Sequence, residues 1–149
     1  MRVAFQVNGD PVEVDVEPAT MLLEVLRDHL GLPGARGTCG VGLCGTCTVL
    51  LDGEPVSSCI LLAPLAEGRA VTTIEGVPAD DPVVAAFDRH HAFQCGYCIP
   101  GMVLTAKAFL AGRGAGRPAR DEVAEALGGN LCRCGCYVKI LDAVQEAGS

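Results

Sequence analysis

Thr38-Cys39-Gly40-Val41-Gly42-Leu43-Cys44-Gly45-Thr46-Cys47-Thr48 decides how this chain is read. Cys39, Cys44 and Cys47 stand in a C-x4-C-x2-C run. That is the plant-type spacing for a 2Fe–2S cluster, which takes its fourth cysteine from elsewhere. Glycines fill positions 40, 42 and 45 between them. A cluster held by four thiolates is anionic, and glycine lets backbone N–H groups turn toward the sulfurs with no Cβ in the way.

The fourth ligand follows from the residues after the loop. Asp52-Gly53 is a two-residue hairpin signal between apolar runs. With that turn, Thr46 falls opposite Cys59 and Cys47 opposite Ser58. Facing residues on paired strands lie about 4.5–5.5 Å apart, so Cys59 arrives beside Cys47.

Working outward, Val3, Phe5 and Val7 share one face of a strand over Arg2–Val7, and Asn8-Gly9 turns it. Val12, Val14 and Val16 then alternate with Glu13 and Asp15. Thr20 is the expected N-cap of a helix over Met21–Leu30, with Leu22, Val25, Leu26 and Leu30 at helical spacing and Gly31 closing it. Further strands are expected at Thr48–Leu51, Pro55–Leu61 and Ala70–Ile74. Two hairpins flanking a helix, with a last strand, predict a β-grasp, ferredoxin-like domain over residues 1–76. Gly76–Pro82 reads as a linker. Helices are then expected over Val83–His91, Met102–Ala111, Asp121–Leu127 and Tyr137–Glu146, predicting a small four-helix bundle over residues 77–149. The fold class is α+β.

The helical half carries a second constellation. Cys95-Gly96-Tyr97-Cys98 precedes the second of these helices and Cys132-Arg133-Cys134 precedes the last. One helix climbs about 1.5 Å per residue, the next descends, and Gly128-Gly129 turns the chain back toward its start. The two motifs are therefore expected at one end of the bundle, near helix N-termini that favour thiolates. Four cysteines can also hold a zinc, but a C-x-C unit is less typical of zinc sites, so a second iron–sulfur cluster is favoured.

Composition sets limits. The chain has 149 residues, no tryptophan and a formal charge of −7. Residues 1–81 hold 12 acids and 4 bases, net −8, and residues 82–149 hold 6 acids and 7 bases, net +1. No long basic run exists, which argues against a nucleic-acid partner. No apolar run approaches a membrane span. The N-terminus shows no export signal, so a chain with nine cysteines points to metal ligation in a cytoplasmic protein before disulfides. His29, His90 and His91 fall at helix ends, where a cation is favourable. Arg113, Arg117 and Arg120 are read as a solvated turn.

Gln94-Cys95-Gly96-Tyr97-Cys98-Ile99-Pro100-Gly101-Met102 and Gly129-Asn130-Leu131-Cys132-Arg133-Cys134 resemble the small iron–sulfur subunit of the molybdenum hydroxylases, the xanthine dehydrogenase, aldehyde oxidase and carbon monoxide dehydrogenase family. The first cysteine loop and Leu51–Cys59 resemble it too. The resemblance implies two 2Fe–2S clusters, one on Cys39, Cys44, Cys47 and Cys59 and one on Cys95, Cys98, Cys132 and Cys134. It implies that Gln94 and Cys134 abut a molybdopterin. It further implies two partners, a large molybdopterin-binding subunit with a medium FAD-binding subunit, in a dimer of heterotrimers whose catalytic site is on another chain. The family continues Cys-Arg-Cys with Thr-Gly-Tyr, whereas Gly135-Cys136-Tyr137 stands here. Cys136 is expected to be a small buried thiol. The function the resemblance implies is electron transfer from the molybdopterin through the two clusters to FAD and an external acceptor, with a free-standing two-cluster ferredoxin as the alternative. Substrate and electron acceptor are not written in this chain.

Overall fold

The computed structural model describes residues 1–149. Its first half is a five-stranded sheet in the order β2-β1-β5-β3-β4. The strands are β1 (Arg2–Val7), β2 (Asp10–Asp15), β3 (Thr48–Leu51), β4 (Glu54–Ser57) and β5 (Ala70–Thr72). β1 runs parallel to β5, and the other pairings are antiparallel. Asn8 and Asp52 both take a left-handed backbone at their turns, as two-residue hairpins require. Val3, Phe5, Val7, Val14, Val49, Leu51 and Val71 send their side chains into one core with Leu22, Val25 and Leu26.

The helix over this core departs from expectation. α1 covers only Leu22–Glu24 and widens into a π-type turn over Val25–His29, in which Leu30 N–H donates to Val25 O. Thr20 does not cap it. Met21 is the N-cap and makes no side-chain cap bond. The free N–H groups of Leu22 and Leu23 are taken instead by Leu61 O at 2.8 Å and Ser58 O at 3.1 Å. That also explains why β4 stops at Ser57 rather than running to Leu61: the next residues turn to close the helix end.

The second half holds α2 (Pro82–Arg89), α3 (Ile99–Ala111), α4 (Arg120–Ala126) and α5 (Tyr137–Ala147). Asp81 caps α2 by accepting from Val83 N–H at 2.9 Å, and Asp121 lies in the first turn of α4. Phe87, Met102, Val103, Val123, Ile140 and Val144 build a second core. His90 at the end of α2 meets Glu146 on α5, and Arg89 pairs with the same carboxylate. Arg120 pairs with Asp142, and Arg113 stacks on Phe109, so these two are engaged within the chain. No helix is long and apolar enough to cross a membrane.

α3 joins the halves. It is apolar nearly all round, with Gly101 through Ala106 buried, and it packs on β3 as well as on α2 and α4. At its first turn the backbones approach so closely that a Cβ on Gly101 would lie 2.3 Å from Gly45 O. A Gly101→Ala substitution is expected to cost about 1–3 kcal/mol by overpacking. A thermal midpoint equal to wild type would contradict this contact.

Candidate iron–sulfur sites

The segment entering the first cysteine loop is tied down before it reaches Cys39. Arg27 donates to Pro33 O at 2.9 Å and to Ala35 O at 2.8 Å. Thr46, buried inside the loop, donates its hydroxyl to Arg36 O at 2.9 Å. It also lies 3.0 Å from the Thr38 hydroxyl and 3.2 Å from Cys44 Sγ. A rim so fixed lets backbone donors aim inward. Val41, Leu43 and Cys44 N–H groups point at Cys39 Sγ from 3.5, 3.3 and 3.4 Å. These amides hold the Cys39 thiol down at about 6. This is the environment that an anionic sulfur ligand needs.

Cys47 and Cys59 come together as the hairpin register requires. β3 and β4 pair from Leu51 opposite Glu54 to Thr48 opposite Ser57. Ser58 then bonds Cys47 O through both its N–H and its hydroxyl, at 3.4 and 2.7 Å. Cys59 sits beside Cys47, and burial pushes its thiol up to about 11. Cys39 meanwhile touches Cys44.

The second set gathers as the helix layout requires. Cys98 is the N-cap of α3, and Cys132 and Cys134 lie in the turn before α5. Cys95 touches Cys134, and Cys98 touches Cys132. The Tyr97 amide, 3.5 Å away, lowers the Cys95 thiol, and Cys134 adds to the effect. Burial pushes Cys98 up to about 12. Burial works against ionisation at Cys132 too, but there the amides of Cys136 and Cys134 and the Cys98 thiol outweigh it, and the shift is downward.

The sulfurs thus gather in two sets, Cys39 and Cys44 with Cys47 and Cys59, and Cys95 and Cys98 with Cys132 and Cys134, and Cys132 also meets Cys136. Four cysteine thiolates in each set would supply the ligands that a 2Fe–2S cluster takes. A zinc would draw four sulfurs onto one point. The donor chemistry and the inward amides fit a 2Fe–2S group at both places. A cleft of about 470 Å³ lies between the loops, lined by Cys44 and Thr46 on one side and Cys95, Cys98 and Cys132 on the other.

Cys136 is half-buried, at the N-cap of α5. Its N–H donates to Cys132 Sγ at 3.4 Å, and burial, with Cys132 beside it, raises its thiol. Gln94 is exposed and shares a cavity of about 400 Å³ with Gly135 and Cys136. Cys134 is half-buried, next in the chain to that cavity wall. All nine cysteines are free of disulfides.

Four contributors leave no clear signal in the sequence: Arg36, Thr46, Tyr97 and Asn130. Asn130 is buried and donates to Gly45 O at 3.2 Å and Thr48 Oγ1 at 3.4 Å. Leu131 N–H donates to Cys44 O at 2.9 Å. The only hint is the Gly-Asn-Leu stretch ahead of Cys132, with nothing in it to name a partner in the other half.

Comparison with known proteins agrees with the geometry. Residues 5–72 match the family model described as a 2Fe-2S iron-sulfur cluster binding domain. Residues 73–145 match the one described as a [2Fe-2S] binding domain. One of the subunits of nicotinate dehydrogenase from Pseudomonas putida is 46% identical over 148 residues, covering 97% of this chain and 93% of that one. The iron-sulfur-binding subunit of aldehyde oxidoreductase from Escherichia coli is 38% identical over 163 residues, covering 99% of this chain and 71% of that one. The crystal structure of quinoline 2-oxidoreductase from Pseudomonas putida 86 superposes with a TM-score of 0.92 at 44% identity, covering 98% of this chain and 91% of the matched chain.

Replacing Cys136 by Ser is expected to leave iron content and the visible spectrum of the purified protein unchanged. Loss of iron on that substitution would make Cys136 a ligand.

Proposed function

The chain belongs to the family of small iron–sulfur subunits of the molybdenum hydroxylases, electron-transfer chains of oxidoreductases whose catalysis lies on other subunits, and from that membership we propose how this one is built to serve. Residues 1–76 form a β-grasp domain holding one cluster on Cys39, Cys44, Cys47 and Cys59. Residues 77–149 form a four-helix bundle holding a second on Cys95, Cys98, Cys132 and Cys134. Each 2Fe–2S cluster supplies a site that takes up and releases a single electron. The observation that carries this assignment is geometric: three backbone amides aim at Cys39 Sγ, and cysteines of both sets face the cleft between the loops.

The protein's own work is to fix those sulfurs and set their surroundings. Three amides stabilise negative charge on Cys39, whereas Cys59 and Cys98 are held as thiols until a metal displaces their protons. Two apolar surfaces remain uncovered. Val41, Leu43 and Ile60 surround the first loop, and Phe93, Tyr97, Leu131, Tyr137 and Val138 surround the second. Exposed patches beside redox sites suit partner subunits better than a free-standing ferredoxin. We assign the first patch to an FAD-binding subunit. The second, with Gln94 and Cys134, is assigned to a molybdopterin-binding subunit. The cytoplasmic complex is then a dimer of heterotrimers, and the electrons run from the molybdopterin side through this chain to FAD and an external acceptor. The relatives named for nicotinate and quinoline suggest an aromatic N-heterocycle as substrate class.

Purified with its companions, the chain is expected to carry iron and acid-labile sulfide in equal amounts and to give two distinct paramagnetic signals on reduction. Cys47→Ser should perturb one signal and Cys98→Ser the other. Zinc in place of iron, or a single signal, would refute the assignment.

A further inference from the structure

Arg36 reaches out of the first half into the second cysteine loop. Its backbone is locked by Thr46, whose carbonyl accepts the Arg36 N–H at 3.0 Å and whose hydroxyl donates to Arg36 O at 2.9 Å. From that anchor, Nη1 donates to Gly96 O and to Tyr97 O, each at 2.8 Å. The guanidinium lies 5.0 Å from the centre of the Tyr97 ring. The Tyr97 hydroxyl returns to Gly37 O at 3.0 Å. Residues 36–37 and 96–97 are thereby laced by three hydrogen bonds and a stacked cation.

The position of this lacing matters more than its strength. Arg36 and Gly37 lead directly to Cys39, Thr46 lies between Cys44 and Cys47, and Gly96-Tyr97 is the whole segment between Cys95 and Cys98. The contact therefore couples the placement of the two cysteine sets. It also brings a full positive charge to the turn carrying Cys95 and Cys98. No carboxylate pairs with Arg36, although its half of the chain is strongly acidic. A cation beside an anionic cluster favours the reduced form, because reduction adds negative charge, and net charge and hydrogen bonding are among the levers on cluster potential.

We propose that Arg36 is a positioning residue with two separable roles: its contacts with Gly96 O, Tyr97 O and the Tyr97 ring set the separation of the two clusters, and its charge raises the potential of the helical-domain cluster. This rests on the two-cluster assignment above. Lysine keeps the charge but has no planar guanidinium to stack on the Tyr97 ring. Glutamine keeps a donor and loses the charge.

The test uses the purified complex, with redox titration of each cluster and the paramagnetic spectrum of the fully reduced state, where close clusters split each other's signals. Arg36→Gln is expected to lower the midpoint potential of the helical-domain cluster and to alter the splitting. Arg36→Lys is expected to alter the splitting while the potential stays near wild type. Tyr97→Phe, which loses only the bond to Gly37, should alter the splitting alone. Potentials and splitting equal to wild type in Arg36→Gln would overturn the proposal. Should that variant fail to assemble, unchanged splitting in both Arg36→Lys and Tyr97→Phe would overturn it. Wild-type complex without two signals would instead refute the cluster assignment itself, a result distinct from either.

Discussion

The molecule depends on one close approach of backbone to backbone. Gly45, in the first cysteine loop, lies against Gly129, Asn130 and the first turn of α3 so tightly that a Cβ on it would stand 2.5 Å from Gly129 O. The contact needs glycine twice over, because Gly45 also takes a left-handed backbone, φ 74°. Around it, Cys44 O accepts from Leu131 N–H and Gly45 O from the Asn130 side chain. Gly45 O also accepts from Thr48, but Cys44 O relies on Leu131 N–H, and a buried carbonyl left without its donor costs about 1–3 kcal/mol, so the loops hold each other by necessity as well as by fit. Redox sites that must communicate need a short and constant separation. A shared backbone contact supplies that better than flexible side chains could.

The two halves contribute differently to their sites. In the first, a hairpin register brings Cys59 to Cys47, and a glycine-rich loop turns amides onto Cys39. In the second, helix starts do the work: Cys98 at the head of α3, and Cys132 and Cys134 before α5. α3 serves both, since its apolar surface fills the second core while it covers β3 of the first. One helix thus fixes the angle between the halves as well as the sulfur of Cys98 at its N-cap.

Legibility in the sequence follows the distance over which each feature is specified. The β3–β4 register is readable from Asp52-Gly53, because a two-residue turn determines pairing locally. The meeting of Cys95–Cys98 with Cys132–Cys134 is readable from helix lengths and the double glycine. Thr20 misleads as a cap, because a side chain that can cap says nothing of a strand end that already satisfies the same N–H groups. The π-type turn after Glu24 leaves no mark, since Leu22, Val25 and Leu26 suit either helical geometry. Arg36, Tyr97 and Asn130 are invisible for a deeper reason. Their partners lie 60 or more residues away and are backbone carbonyls, which every residue carries.

Two sets of four cysteine sulfurs, each proposed to hold a 2Fe–2S cluster, are what everything else in the molecule serves. Diffraction from crystals of the purified complex, measured at the iron absorption edge, tests this assignment most directly. Two closely spaced pairs of iron peaks are predicted, one among Cys39, Cys44, Cys47 and Cys59 and one among Cys95, Cys98, Cys132 and Cys134. A single peak within either set, or a peak that appears only at the zinc edge, would contradict it.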